Sequence, residues 1–204
     1  DFATSREENG NPIIVFRKEF ILTGQTDMEK TLSHEFIHVL MRQMLWDKYK
    51  YAPNWLREGI ANYIAEELND KARNLVSGCI FQEEHPLSLI NGLETEPHTS
   101  KDYLEDTLLF EYIKQKYGIE KVKTAIKDIF KGKEYKTVFM ETTNEEWDNL
   151  KENIVAFSIN YINNLLSKGS YSEYNSANDL YKARHFSKAE PLFVSFIKKH
   201  PDSF

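Results

Sequence analysis

The apolar positions of the chain fall into two regimes. At the front, Pro12-Ile13-Ile14-Val15-Phe16 and Glu19-Phe20-Ile21-Leu22 are short β-branched and aromatic runs of strand length. Asn9-Gly10-Asn11-Pro12 is a turn signal ahead of them, and Gly24 closes the segment. Beyond that point the chain reads as helix. Thr26-Asp27-Met28-Glu29 has the form of a capping box with two acids in the first turn, and predicts a helix to about Trp46. Pro53-Asn54 opens a second helix through Trp55, Ile60, Tyr63 and Ile64, ending near Asn69-Asp70. Pro86, Gly92 and Pro97 break residues 71–99 into short pieces, the pattern of a mobile or rim segment. Asp102 to Tyr117 reads as amphipathic and stops at Gly118, and Ile119 to Phe130 is followed by Gly132. A short helix is expected over Lys136 to Met140. A second capping box, Thr143-Asn144-Glu145-Glu146, opens a long helix to about Leu166. Lys168-Gly169-Ser170 punctuates the chain, and Glu173 to Arg184 and Ser187 to His200 follow as two short helical patterns. The fold class expected is α+β, mostly helical, with a small N-terminal sheet and a helical hairpin at the end.

Composition narrows the class of protein. With 41 % apolar and 13 % aromatic residues in 204, the chain can build a core, which excludes wholesale disorder. Only 8 Gly and 6 Pro exclude collagen-like or loop-dominated chains. Lys plus Arg is 26 against 32 Asp plus Glu, and a formal charge of −6 argues against nucleic acid as the main partner. A single cysteine, Cys79, excludes a disulfide framework within the chain and any all-cysteine metal cage, and fits either side of a membrane. No apolar run approaches the roughly 18 residues of a membrane span. The chain begins at Asp1 and ends at Phe204 in the middle of a pattern, the expected look of a processed or excised piece.

Candidate chemistry lies in the first helix. His34-Glu35-Phe36-Ile37-His38 is an HExxH pattern. Four residues is slightly more than one helical turn, so His34 and His38 project from the same face. Two imidazoles so placed can reach one Zn²⁺ at about 2.0–2.1 Å each, with Glu35 beside them to hold a water bound to that metal. Leu32, Phe36, Ile37, Val39 and Leu40 surround the motif, so the polar trio is expected to face a cavity or a metal rather than bury charge without a partner. Glu58 follows His38 after nineteen intervening residues. That gap lets the first helix finish, the chain turn at Tyr51-Ala52-Pro53, and a second helix return beside it. A carboxylate there completes two histidines and one glutamate, with the fourth position open for water. Gly59 and Ala61 are small, as two helices sharing a metal require.

At this point the sequence resembles the gluzincins, metallopeptidases with HExxH and a downstream glutamate. The second motif is similar to the W-L-x-E-G-x-A-x-Y of the peptidase-MA-like group, through Trp55, Leu56, Glu58, Gly59, Ala61 and Tyr63. Looser likeness continues through Tyr103 to Gly118 and Val138 to Trp147, and the resemblance covers about residues 10 to 165. It implies a zincin-like metallopeptidase domain over 1–168 acting on a peptide or protein substrate. His34, His38 and Glu58 would hold one Zn²⁺, and Glu35 would be the general base that takes a proton from the water and passes it to the leaving amine. Related enzymes supply a tyrosine or histidine to the oxyanion from a later helix. Tyr103 is the candidate here, with His98 and His85 as alternatives. Asn62, one turn after Glu58, is expected to orient a ligating histidine, where some gluzincins carry an aspartate. The sheet edge at Ile13 to Phe16 or Glu19 to Leu22 could receive an extended peptide as an added strand. Because the similar group is often exported, an exported or cell-envelope bacterial protein is the implied setting.

Asn178 to Glu190, running on through Phe193 and Phe196 to His200-Pro201-Asp202-Ser203, resembles a tetratricopeptide repeat over 169–204, with Ala189 at a small position of its second helix. A single unit cannot bury its own face, so it either docks on the helix before it or belongs to a longer array, and such repeats bind partner peptides. The alternative to a peptidase is therefore a scaffold that keeps the zincin-like site without turnover and works through the repeat. A non-peptidase hydrolase using the same metal site is a third reading.

Overall fold

A computed structural model describes residues 3–9, 11–16, 28–68, 90, 92–94, 103–168 and 170–199. Two antiparallel strands open it, β1 (Ala3–Glu8) and β2 (Asn11–Phe16), in a register that pairs Ala3 with Phe16 and Glu8 with Asn11. The connection is the dipeptide Asn9-Gly10, with Asn9 at φ 53°, the left-handed start that a two-residue hairpin needs. The turn signal thus lies between two strands rather than ahead of both. β1 escaped the sequence reading because Ala3-Thr4-Ser5-Arg6-Glu7-Glu8 has no apolar alternation. The expected strand over 19–22 and the capping box at Thr26-Asp27 lie outside the described residues.

Eight α-helices follow among the described residues. They are α1 (Met28–Leu45), α2 (Asn54–Ile64), α3 (Tyr103–Tyr117), α4 (Ile119–Phe130), α5 (Tyr135–Thr143), α6 (Trp147–Lys168), α7 (Ser170–Lys182) and α8 (Phe186–Lys199). A 3₁₀ turn, Trp46–Tyr51, links α1 to α2. Tyr49 in that turn lies between Arg42 of α1 and Arg57 of α2, whose guanidinium carbons stand 5.3 and 4.9 Å from its ring centre. Such cation–π contacts hold the two helix ends to one connection. No helix of the described residues is long and apolar enough to cross a membrane.

The core gathers where α1, α2, α3, α4, α5 and α6 meet. Met41, Leu56, Ile60, Phe110, Ile113, Phe139 and Leu150 are among its fully buried members. Burying each of the larger ones stabilises the fold by about 1.5–3 kcal/mol. Aromatic rings chain through it: Trp55 stacks on Trp147, Trp147 on Phe139, and Phe139 meets Phe110 edge to face. α3 departs from the amphipathic reading: every residue from Leu104 to Phe110 is buried, polar Glu105, Asp106 and Thr107 included. Helices pack on more than one side of it, and its acids are accommodated at the helix N-terminus, where Glu105 accepts the Gly92 N–H at 3.0 and 3.2 Å. At the other end Gly118, at φ 92°, makes the left-handed turn into α4.

Two predicted boundaries move. α2 ends at Ile64, not near 70. The second capping box does not cap: Thr143 is the last residue of α5 and Asn144 takes a left-handed conformation, so α6 starts only at Trp147. The Thr143 hydroxyl instead donates to the Phe139 carbonyl and accepts the Glu145 N–H. α7 and α8 form the expected hairpin. They run antiparallel, since Lys199 at the end of α8 pairs with Glu173 near the start of α7 at 2.8 Å. Among the residues whose side chains are described, Ala177, Ala189 and Phe196 are its buried positions.

Glu94 pins α5 and α6 from outside. Its carboxylate accepts from the Tyr135 hydroxyl at 2.8 Å and the Trp147 indole at 3.1 Å, and pairs with Lys136 at 2.9 Å. Burial works to raise its pKa, but Lys136, Trp147 and Tyr135 together hold it below the ordinary carboxylate value of 4.5. The unfolded chain therefore binds this proton more readily. The stabilisation is complete above about pH 4.5 and is lost as the pH falls through the lower folded value. Urea unfolding of Glu94→Gln is expected to give about 1–2 kcal/mol less stability than wild type at pH 7, the gap narrowing toward pH 3. A gap independent of pH would contradict the ionised pin.

Candidate metal centre

α1 carries His34 and His38 one turn apart, and their rings meet edge to face with centroids 4.8 Å apart. His38 and Glu35 are buried, while Leu32 and Phe36 are about half exposed. The apolar surround expected from the sequence is therefore one-sided: Ile37, Val39 and Met41 bury and Leu32 and Phe36 do not. On α2 the second motif divides by face. Trp55, Leu56, Ile60 and Ala61 enter the core, and Tyr63 lies on Phe110 at 5.4 Å, leaving Glu58 on the side toward α1. Gly59 is what lets α2 approach α3: a Cβ built there would stand 2.6 Å from the Asp106 carbonyl oxygen.

The three side chains converge. His34 Nε2 and His38 Nε2 are 3.1 Å apart, and each stands 3.4 Å from an oxygen of Glu58. With one donor atom taken from each residue, all three stay within 4.8 Å of one another. Donors about 2.0–2.1 Å from a tetrahedral centre are separated by about 3.4 Å, the length of the two imidazole–carboxylate contacts, which run to different oxygens, Oε2 for His34 and Oε1 for His38. The donor set also fits in kind: two imidazoles and one carboxylate, with a fourth corner left over. Among the described residues it is the group of His, Cys, Asp and Glu that could hold a metal ion.

The electrostatics are those of donors gathered around a place for a cation. Burial works to lower the His34 pKa, but the carboxylates of Glu58 and Glu67 outweigh it and raise it to about 9. Burial likewise works against the charge on Glu58, and the two imidazoles hold it well below the ordinary carboxylate range. Glu35 is 8 % exposed and has no hydrogen bond or ion pair among the described residues. Tyr103, first residue of α3, is half buried. Burial, and then the charges of Glu58, Asp106 and Glu35, push its phenol up to about 12, so it stays protonated and near the group. His85 and His98 lie outside the described residues.

Asn62 does not do what the spacing suggests. It is fully buried, and neither its Oδ1 nor its Nδ2 has a hydrogen-bond partner, so it does not hold a histidine ring. Glu67 stands there instead, with Oε1 3.6 Å from His34 Nδ1. No sequence signal marks it, because it lies just past an early helix end that no glycine or proline announces.

No protein-family model, curated protein or solved structure matches the chain. What stands is a mostly helical protein with a small two-stranded N-terminal sheet and a two-histidine, one-glutamate group able to hold a metal ion.

Proposed function

We propose that the chain is a zinc-dependent peptidase of gluzincin type on a zincin-like scaffold. The observation that carries this reading is the convergence of His34, His38 and Glu58 across two helices, one donor atom from each lying within 4.8 Å of the others. A zinc ion there supplies a Lewis acid and a water acidic enough to attack near neutral pH. The chain's own residues do the rest. Glu35, buried beside His34 and otherwise unengaged among the described residues, takes the proton of the attacking water on its carboxylate and returns it to the leaving amine. Tyr103 keeps its proton at neutral pH and donates it as a hydrogen bond to the oxygen on which negative charge develops. Glu58, held below the ordinary carboxylate range, would be the anionic ligand that offsets the charge of the cation.

Metal analysis of the purified protein tests the centre directly. About one equivalent of zinc is expected in wild type and none retained in His38→Ala, with peptide hydrolysis lost on chelation and restored by added zinc. A chain that folds and holds no divalent metal would leave the proposal without its centre.

A further inference from the structure

We propose that Glu67 is the positioning residue that fixes the His34 ring for metal binding, the role the sequence pattern assigns to Asn62; this rests on the metal reading above. Both ring nitrogens of His34 face polar side chains, Nδ1 without a hydrogen bond. Nε2 faces His38 and Glu58, and Nδ1 faces Glu67 Oε1 at 3.6 Å. The side chains of His34 and Glu67 are each only 12 % exposed, so little solvent screens the pair. An imidazole that gives its Nε2 lone pair to a cation carries its proton on Nδ1, and a carboxylate on that side fixes both tautomer and ring angle.

The backbone explains how Glu67 gets there. α2 stops in a Schellman motif: the Glu66 N–H bonds the Tyr63 carbonyl at 3.2 Å, and the Glu67 N–H bonds the Asn62 carbonyl at 2.9 Å. The motif needs a left-handed residue between them, and Glu66 supplies it at φ 57° without being glycine or asparagine. This strained turn ends the helix early and brings the next side chain back over His34. Asn62, whose amide reaches nothing, contributes its carbonyl to the turn. Neither Nδ1 has a hydrogen-bond partner, but the two histidines differ in what lies behind them: His34 Nδ1 has the Glu67 carboxylate at 3.6 Å, within reach of a small ring rotation, and no such ion-pair contact stands at His38 Nδ1 among the described residues.

Zinc affinity, measured by competition with a chromophoric chelator, and the imidazole N–H resonances of the zinc-loaded protein test this. Glu67→Gln is expected to bind zinc about 10–100-fold more weakly than wild type, with the His34 Nδ1 proton of the zinc-loaded protein moved upfield. Glu66→Gly, which relieves the left-handed strain and keeps the turn, is expected to bind zinc as wild type does. Wild-type affinity in Glu67→Gln would overturn the proposal while leaving the metal centre standing. Absence of zinc binding in wild type would overturn the metal reading itself, and this inference with it. Should Glu67→Gln fail to fold, the unmodified protein still decides: a zinc-loaded His34 carrying its proton on Nε2 overturns the proposal.

Discussion

Glu35→Gln is expected to lower peptide hydrolysis by about 10²–10⁴-fold while zinc content stays at the wild-type level. The amide has the shape of the carboxylate but cannot take a proton from water, and Glu35 is not among the three converging donors. The effect should fall on kcat, because the base acts as the bond breaks and contributes little to holding substrate. Glu35 makes no hydrogen bond or ion pair with another described residue, so the amide breaks no contact there. The variant should therefore melt no lower than wild type, which separates lost chemistry from lost structure. Full activity in Glu35→Gln would remove the proposed base.

Gly59→Ala is expected to cost about 1–3 kcal/mol of stability and to weaken zinc binding together with it. The added methyl meets the Asp106 carbonyl oxygen at 2.6 Å and its carbon at 3.0 Å. Both are backbone atoms of a buried helix, so no rotamer change relieves the overlap and α2 must back away from α3. Glu58 precedes Gly59 and moves with it, which disturbs its distances to His34 and His38. Urea unfolding and zinc titration of the same sample read the two effects. An unchanged midpoint would mean that the helices have slack at this crossing.

The parts of the site written in short-range spacing were legible in the sequence. His34 and His38 share a face by helical geometry, and the nineteen-residue gap lets a second helix bring Glu58 back beside them, where the structure places the three within 4.8 Å of one another. The order and type of the helices were legible too, since Gly118 and Gly132 punctuate them. What was not legible depends on partners distant in sequence. The Leu104–Phe110 run carries Glu105, Asp106 and Thr107 in the middle of its pattern, so it resembles a half-exposed helix until neighbours close over both sides. Thr143 looks like a cap, but its hydroxyl is satisfied within the preceding helix. The end of α2 is set by a left-handed glutamate, which composition cannot distinguish from a solvent-facing one.

Burial along the first half of α3 has a mechanical meaning for the centre. A segment enclosed on all sides exposes its amides to solvent only when the whole protein opens, whereas edges and termini fray at little cost. Glu58 is tied to that segment through the Gly59 crossing. The ligand that comes from the second helix is thus anchored to a segment buried along its first half, and fraying at the edges leaves its position on that segment undisturbed.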